Sequence, residues 1–134
     1  MRYLLDTNIV SYFVKGISAS LVQRMRAGVD AQNIAISAVT RAELRYGVEL
    51  MDKFDKRRRR IELVLKEFPT LPWSIEAADE FGRIRAYLKR NGRTVGEFDT
   101  QIAAHALAEK LILVTHNTHH FENVPRLQLE DWMV

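Results

Sequence analysis

A chain of 134 residues, 47% hydrophobic and 28% charged, has the size and balance of one globular domain with its own core, which excludes a disordered or low-complexity polymer. The absence of cysteine removes disulfides, thiolate metal sites and cysteine nucleophiles, and is compatible with a reducing cytoplasm. A formal charge of +3 permits nucleic-acid contact without demanding it, no stretch is long or apolar enough to span a membrane, and Asp6 and Asn8 interrupt the apolar N-terminal run that suggests a signal peptide.

In chain order, Arg2 to Leu5 reads as a short apolar strand, and Asn8 to Lys15 as a helix opened by the polar Asp6-Thr7-Asn8 and closed at Gly16. A helix from about Ser18 to Ala27 is expected to end at Gly28, and Asn33 to Ser37 is a short strand leading into a helix from about Ala38 to Leu50, with Ala42, Tyr46 and Leu50 on one face. A further helix spans about Lys53 to Glu67 with Ile61, Leu65 and Phe68 turned inward, and Pro69 ends it. Thr70 to Trp73 suggests a third strand, followed by a helix from Ile75 to Arg90, the Asn91-Gly92 break, and a helix from Glu97 to Lys110. Leu111 to Thr115 is the clearest strand, and Leu127 to Leu129 is a short last one. Strands alternating with helices predict an α/β fold. The expected architecture is a three-layer α/β/α sandwich around a central, mainly parallel sheet, as a single domain over residues 1–134.

Three carboxylates lie in settings that make a bare charge costly: Asp6 at the end of the first strand, Glu43 among apolar helix residues, and Asp99 at the start of the helix after Gly96. Ligands of parallel α/β sheets bind at the carboxyl ends of the strands, where all three can converge. Oxygen-only ligands select a hard cation, Mg²⁺ or Mn²⁺, and such a site suits phosphodiester hydrolysis. Each acid also has a plainer role: Asp6 as a helix cap, Glu43 as a partner of Arg41 or Arg45, Asp99 as a first-turn residue. Thr7 and Asn8 are placed to hydrogen-bond the carboxylates or the scissile phosphate, or simply to cap the helix. Lys89, Arg90 and Arg93 precede Asp99 by a glycine-containing loop and are expected to contact phosphate, whereas Lys56 to Arg60 reads as a solvated helix face. Glu97 reads as a first-turn residue, Trp73 and Trp132 as core or interface residues, and His116, His119 and His120 as surface or base-stacking groups.

Taken together, Leu4-Leu5-Asp6-Thr7-Asn8, Ser37-Ala38-Val39-Thr40-Arg41-Ala42-Glu43-Leu44-Arg45-Tyr46-Gly47 and Gly96-Glu97-Phe98-Asp99-Thr100-Gln101-Ile102-Ala103-Ala104-His105-Ala106 resemble the PIN-domain ribonucleases of the VapC toxin type. The tail, with Val114-Thr115-His116-Asn117, Phe121 and Leu129-Glu130-Asp131-Trp132, resembles the branch whose members cleave initiator tRNA in the anticodon stem-loop. The resemblance implies that Asp6, Glu43 and Asp99 are the metal-binding catalytic acids, with Mg²⁺ as cofactor and Mn²⁺ able to substitute. It also implies a tRNA substrate, a VapB-type antitoxin that inserts a segment at the active site, a homodimer, and a hetero-oligomer with that antitoxin in the cytoplasm. Many PIN domains carry a fourth acid just after the fourth strand, where this chain has Asn117, a neutral ligand that lowers the charge of the site. Two rival functions remain at this point. One is a haloacid-dehalogenase-like phosphatase, which needs an acid where Asn8 stands; the other is a catalytically silent Mg-binding regulatory domain.

Overall fold

The computed structural model describes residues 1–134. Its elements run β1 Tyr3–Leu5, α1 Thr7–Lys15, α2 Ala19–Ala31, β2 Ile34–Ser37, α3 Ala38–Leu50, α4 Lys56–Glu67, β3 Thr70–Leu71, α5 Ile75–Arg90, α6 Glu97–Ala108, β4 Ile112–Val114, α7 Thr118–Phe121 and β5 Leu129–Glu130. The sheet is wholly parallel, in the order β3-β2-β1-β4-β5. Tyr3, Leu4 and Leu5 pair with Ile34, Ala35 and Ile36 on one side and with Ile112, Leu113 and Val114 on the other. Because β1 is central and the order runs outward from it in both directions, the β1–β4 boundary is the switch point at which such sheets open a crevice.

The period of two along each strand sorts the core into two layers. Leu5, Ile34, Ile36 and Val114 join Ile9, Val10, Leu21, Met25, Leu44, Val48 and Ile61 from α1 to α4. Leu4, Ala35 and Leu113 join Ile84, Leu88, Ile102 and Ala103 from α5 and α6, with Phe121 of α7. Leu4 and Leu5 are completely buried, which is worth about 1.5–3 kcal/mol for each such side chain. The three-layer sandwich expected from the sequence is therefore the observed fold, with every strand pair parallel.

Several boundaries differ from the sequence reading for local reasons. Helix α2 runs through Gly28 to Ala31 and is closed by Gln32 in the left-handed region at φ 54°. Gly28 is instead a close-packing position, since a Cβ there would lie 2.5 Å from Ile34 Cγ2. Helix α4 starts at Lys56 because the Asp55 carboxylate caps it, accepting from the Arg57 N–H at 2.9 Å. Strand β3 stops before Pro72, which has no N–H to give a ladder. The four-residue α7 was not anticipated, and β5 falls at Leu129–Glu130 instead of 127–129. On α3 the core face is Thr40, Leu44 and Val48, so the expected Ala42-Tyr46-Leu50 face is the outer one, with Tyr46 68% and Leu50 69% exposed.

Candidate active site

The first acid is fixed by the end of β1. The Asp6 N–H donates to the Val114 carbonyl at 3.0 Å, continuing the β1–β4 ladder by one bond, and its Oδ1 then accepts from the Ile9 N–H at 2.7 Å as the cap of α1. The plain capping role is thus real, and it places the carboxylate at the switch point. Asp6 is buried, and its pKa is pushed up to about 6, first by desolvation and further by the charges of Asp99 and Glu43; hydrogen bonds from Thr115 and the Ile9 N–H oppose the shift. The two other acids are therefore close enough to be felt by Asp6.

Glu43 projects from α3 toward α1. Its Oε1 lies 2.7 Å from Thr7 Oγ1, and Thr7 Oγ1 lies 3.2 Å from the buried Thr40 Oγ1. One hydroxyl carries one proton, so an ionised Glu43 takes the Thr7 hydrogen and Thr40 donates to Thr7. The arginines that offered Glu43 a surface ion pair are engaged elsewhere. Arg41 donates to the Leu65 carbonyl and to Thr70 at 3.0 and 3.1 Å, and Arg45 pairs with Glu62. Thr7 and Glu43 line a cleft of about 510 Å³ whose other walls are Ala42, Tyr46 and Phe98.

Asp99 lies in the first turn of α6, where the amide dipoles favour an anion, after Gly96, whose carbonyl accepts from the Thr100 hydroxyl at 2.8 Å. Its Oδ2 meets His120 Nε2 of α7 at 3.1 Å. As the side chains stand, no three of the His, Asp and Glu groups are close enough together to hold a metal ion, and Glu43 and Asp99 each have one oxygen engaged by a neighbour. In kind, however, the residues suit a hard divalent cation: the donors are oxygens, and Asp6 is a buried carboxylate with the charges of Asp99 and Glu43 nearby.

Residues 3–127 match the PIN domain as a family. The chain belongs to the PIN-domain family. Within it, the chain is 40% identical over 132 residues to the tRNA(fMet)-specific endonuclease VapC of Shigella flexneri, covering 98% of both chains. It is 38% identical over 133 residues to ribonuclease VapC2 of Haemophilus influenzae, covering 99% of both. Among solved structures it resembles VapBC2 of Rickettsia felis bound to a promoter DNA fragment, with a TM-score of 0.88 and 33% identity over 98% of this chain and 99% of that one. PIN-domain ribonucleases are in general dependent on a divalent metal.

Not every residue expected at the PIN site is in its hydrogen-bond network. Thr7 is, whereas Asn8 and Asn117 are exposed; the Asn117 backbone N–H, not its amide side chain, bonds to Thr115 Oγ1 at 3.0 Å. Glu97 pairs with Arg85 at 3.0 Å and both are exposed, in keeping with a surface first-turn residue. Lys89 and Arg93 line a cleft of about 200 Å³ with Thr94, Val95, Glu97 and Thr100, while Arg90 is not part of its wall. In the basic run of α4, Arg57 pairs with Asp55, and Arg58 and Arg60 donate to the Met51 and Val14 carbonyls. Trp132 is buried, with its indole N–H on Glu130, and half-buried Trp73 donates to the Gln101 carbonyl.

His119 is exposed and pairs with Glu122, and His116 pairs with Asp131 at 2.9 Å. His120, expected as a surface or stacking group, instead touches Asp99. His105 is fully buried within α6, with Nδ1 2.8 Å from Ser37 Oγ, and desolvation holds its pKa below the ordinary 6.5. No sequence pattern marked either contact, because both join segments far apart in the chain.

Proposed function

We propose that this protein is a metal-dependent endoribonuclease toxin that uses Asp6, Glu43 and Asp99 to hold Mg²⁺, for which Mn²⁺ can substitute. The observation that carries the reading is the placement of Asp6 at the carboxyl end of β1, at the switch point of a parallel sheet, with Glu43 of α3 held by the neighbouring Thr7 and Asp99 in the first turn of α6. When bound, the cation supplies Lewis-acid activation of water and neutralisation of charge on the scissile phosphate. Asp6 contributes a ligand anchored by backbone hydrogen bonds and protected from solvent, Glu43 one oriented by Thr7, and Asp99 one at the helix start. Lys89, Arg90 and Arg93 hold flanking phosphates. Water attacks phosphorus in line and the 3′ oxygen leaves, giving 5′-phosphate and 3′-hydroxyl ends.

The substrate is tRNA, cut in the anticodon stem-loop of the initiator species, which blocks translation. Support comes from the 40% identity to an enzyme named as a tRNA(fMet)-specific endonuclease. The natural inhibitor is a VapB-type antitoxin bound to a dimer of this chain in the cytoplasm, since solved relatives spanning nearly the whole chain are VapBC complexes. The phosphatase reading fails on Asn8, an exposed amide where a general acid is needed.

The deciding experiment incubates antitoxin-free protein with total tRNA in Mg²⁺, in Mn²⁺ and in EDTA, beside Asp99→Asn, and maps the fragment ends. A single anticodon-loop cut that needs metal and is lost in the variant establishes the reading. Cutting retained by Asp99→Asn overturns the assignment of the site, and silence in every lane favours the non-catalytic, metal-binding alternative.

A further inference from the structure

The segment from Thr115 to His120 belongs to neither the acids nor the basic loop, yet it touches two of the three carboxylates. The buried Thr115 hydroxyl hydrogen-bonds to Asp6 while accepting from the Asn117 N–H at 3.0 Å. That bond turns the chain at the end of β4 into α7, where the His120 N–H closes the turn on the Asn117 carbonyl at 3.1 Å. The next residue, Phe121, is 1% exposed and locked into the core layer of α5 and α6, with its ring edge-on to the His120 imidazole at 5.2 Å. The imidazole is thereby anchored on one side and meets Asp99 Oδ2 at 3.1 Å on the other. A carboxylate only accepts, so His120 Nε2 carries the proton and donates. One Asp99 oxygen is held by this bond.

We propose that His120 is a positioning residue of the acidic site: by donating from Nε2 to Oδ2 it orients Asp99 so that its remaining oxygen faces the cation. The inference rests on the metal-site reading above, and it assigns to α7 a function in that site. Residues that hydrogen-bond a metal-binding carboxylate from behind fix its direction, and their loss characteristically costs about 10–100-fold in metal affinity or activity. Asp99 needs such support more than Asp6 does, because its side chain is 39% exposed and no backbone N–H bond to its carboxylate is present.

The test compares Mn²⁺ affinity, read from free Mn²⁺ by electron paramagnetic resonance, for the parent, Asp6→Asn, His120→Phe and His120→Gln, with the melting temperature of each. His120→Phe keeps an aromatic ring beside Phe121 and removes the donor; His120→Gln restores an N–H. The expected result is a loss of about tenfold or more in Mn²⁺ affinity for His120→Phe, most of it recovered by His120→Gln, with little change in melting temperature. His120→Phe binding Mn²⁺ within about twofold of the parent, while Asp6→Asn does not bind, overturns the role of His120 and leaves the metal site standing. Equal losses in Phe and Gln variants also overturn it, because the donor then has no part. A parent that takes up no more Mn²⁺ than Asp6→Asn removes the metal-site reading, and this inference with it.

Discussion

The β1–α1 corner and the α6–α7 corner each present an aspartate to the same edge of the sheet, and they do so by opposite means. Asp6 is held by backbone: its N–H extends the β1–β4 ladder, its carboxylate caps α1, and it is 3% exposed. Asp99 is held by one side-chain hydrogen bond from His120, 21 residues away, and its side chain is 39% exposed. The first corner is anchored by backbone bonds and electrostatically costly; the second is part-exposed and rests on a single contact.

The largest contrast is expected from neutralising each acid. Asp6→Asn should slow RNA cutting by about 10²-fold or more in single-turnover assays, and at pH 7.5 without metal it should stabilise the fold by about 2–3 kcal/mol, the value of a two-unit pKa shift relieved. Asp99→Asn should also abolish cutting, yet change stability by less than about 0.5 kcal/mol, as exposed substitutions do. Equal stability changes in urea unfolding would erase the distinction between the corners.

The pH dependence sharpens the same point. Asp6 has a folded value of about 6 against an ordinary 3.8, so the folded state binds its proton more tightly than the unfolded chain. The stability from that proton is complete below about pH 4 and is lost as pH rises through 6. His105 acts with the opposite sign: its folded value lies below the ordinary 6.5, so stability is full above 6.5 and falls as pH drops toward the folded value. Asp6→Asn should therefore leave a metal-free stability curve that declines only on the acid side, tracked by urea midpoints from pH 4 to 8.

Smaller effects test the supports. Thr7→Val keeps the shape but removes the hydroxyl that orients Glu43, and a loss of about tenfold in cutting is expected, equivalent to one hydrogen bond of about 1.4 kcal/mol. An unchanged rate would mean that Glu43 needs no orientation. Arg93→Ala should weaken RNA binding across sequences and reduce the slope of log affinity against log salt by about 0.7–0.9. If the slope is unaltered, the loop before α6 does not hold phosphate.

Much of this molecule was legible in its local patterns. The bounds of α3 and α5, the parallel α/β architecture and the burial of Asp6 follow from short runs of apolar residues, caps and breakers, whereas Glu43 and Asp99 are only partly buried. At Gly28 the local sequence is ambiguous, because glycine both ends helices and permits close approach, and only the position of Ile34 distinguishes the two. Tyr46 and Leu50 were grouped correctly on one face of α3, but periodicity shows which residues share a face and not whether anything covers it.

The sequence by itself determined most of the elements and their order, because backbone propensity, caps and breakers act over a few residues. Tertiary structure alone decided that His120 would meet Asp99, that His105 would be buried against Ser37 across 68 residues, and that Thr7 would turn Glu43 away from its arginines. Those contacts are side-chain hydrogen bonds between segments brought together by packing, and nothing in the local sequence of either partner names the other.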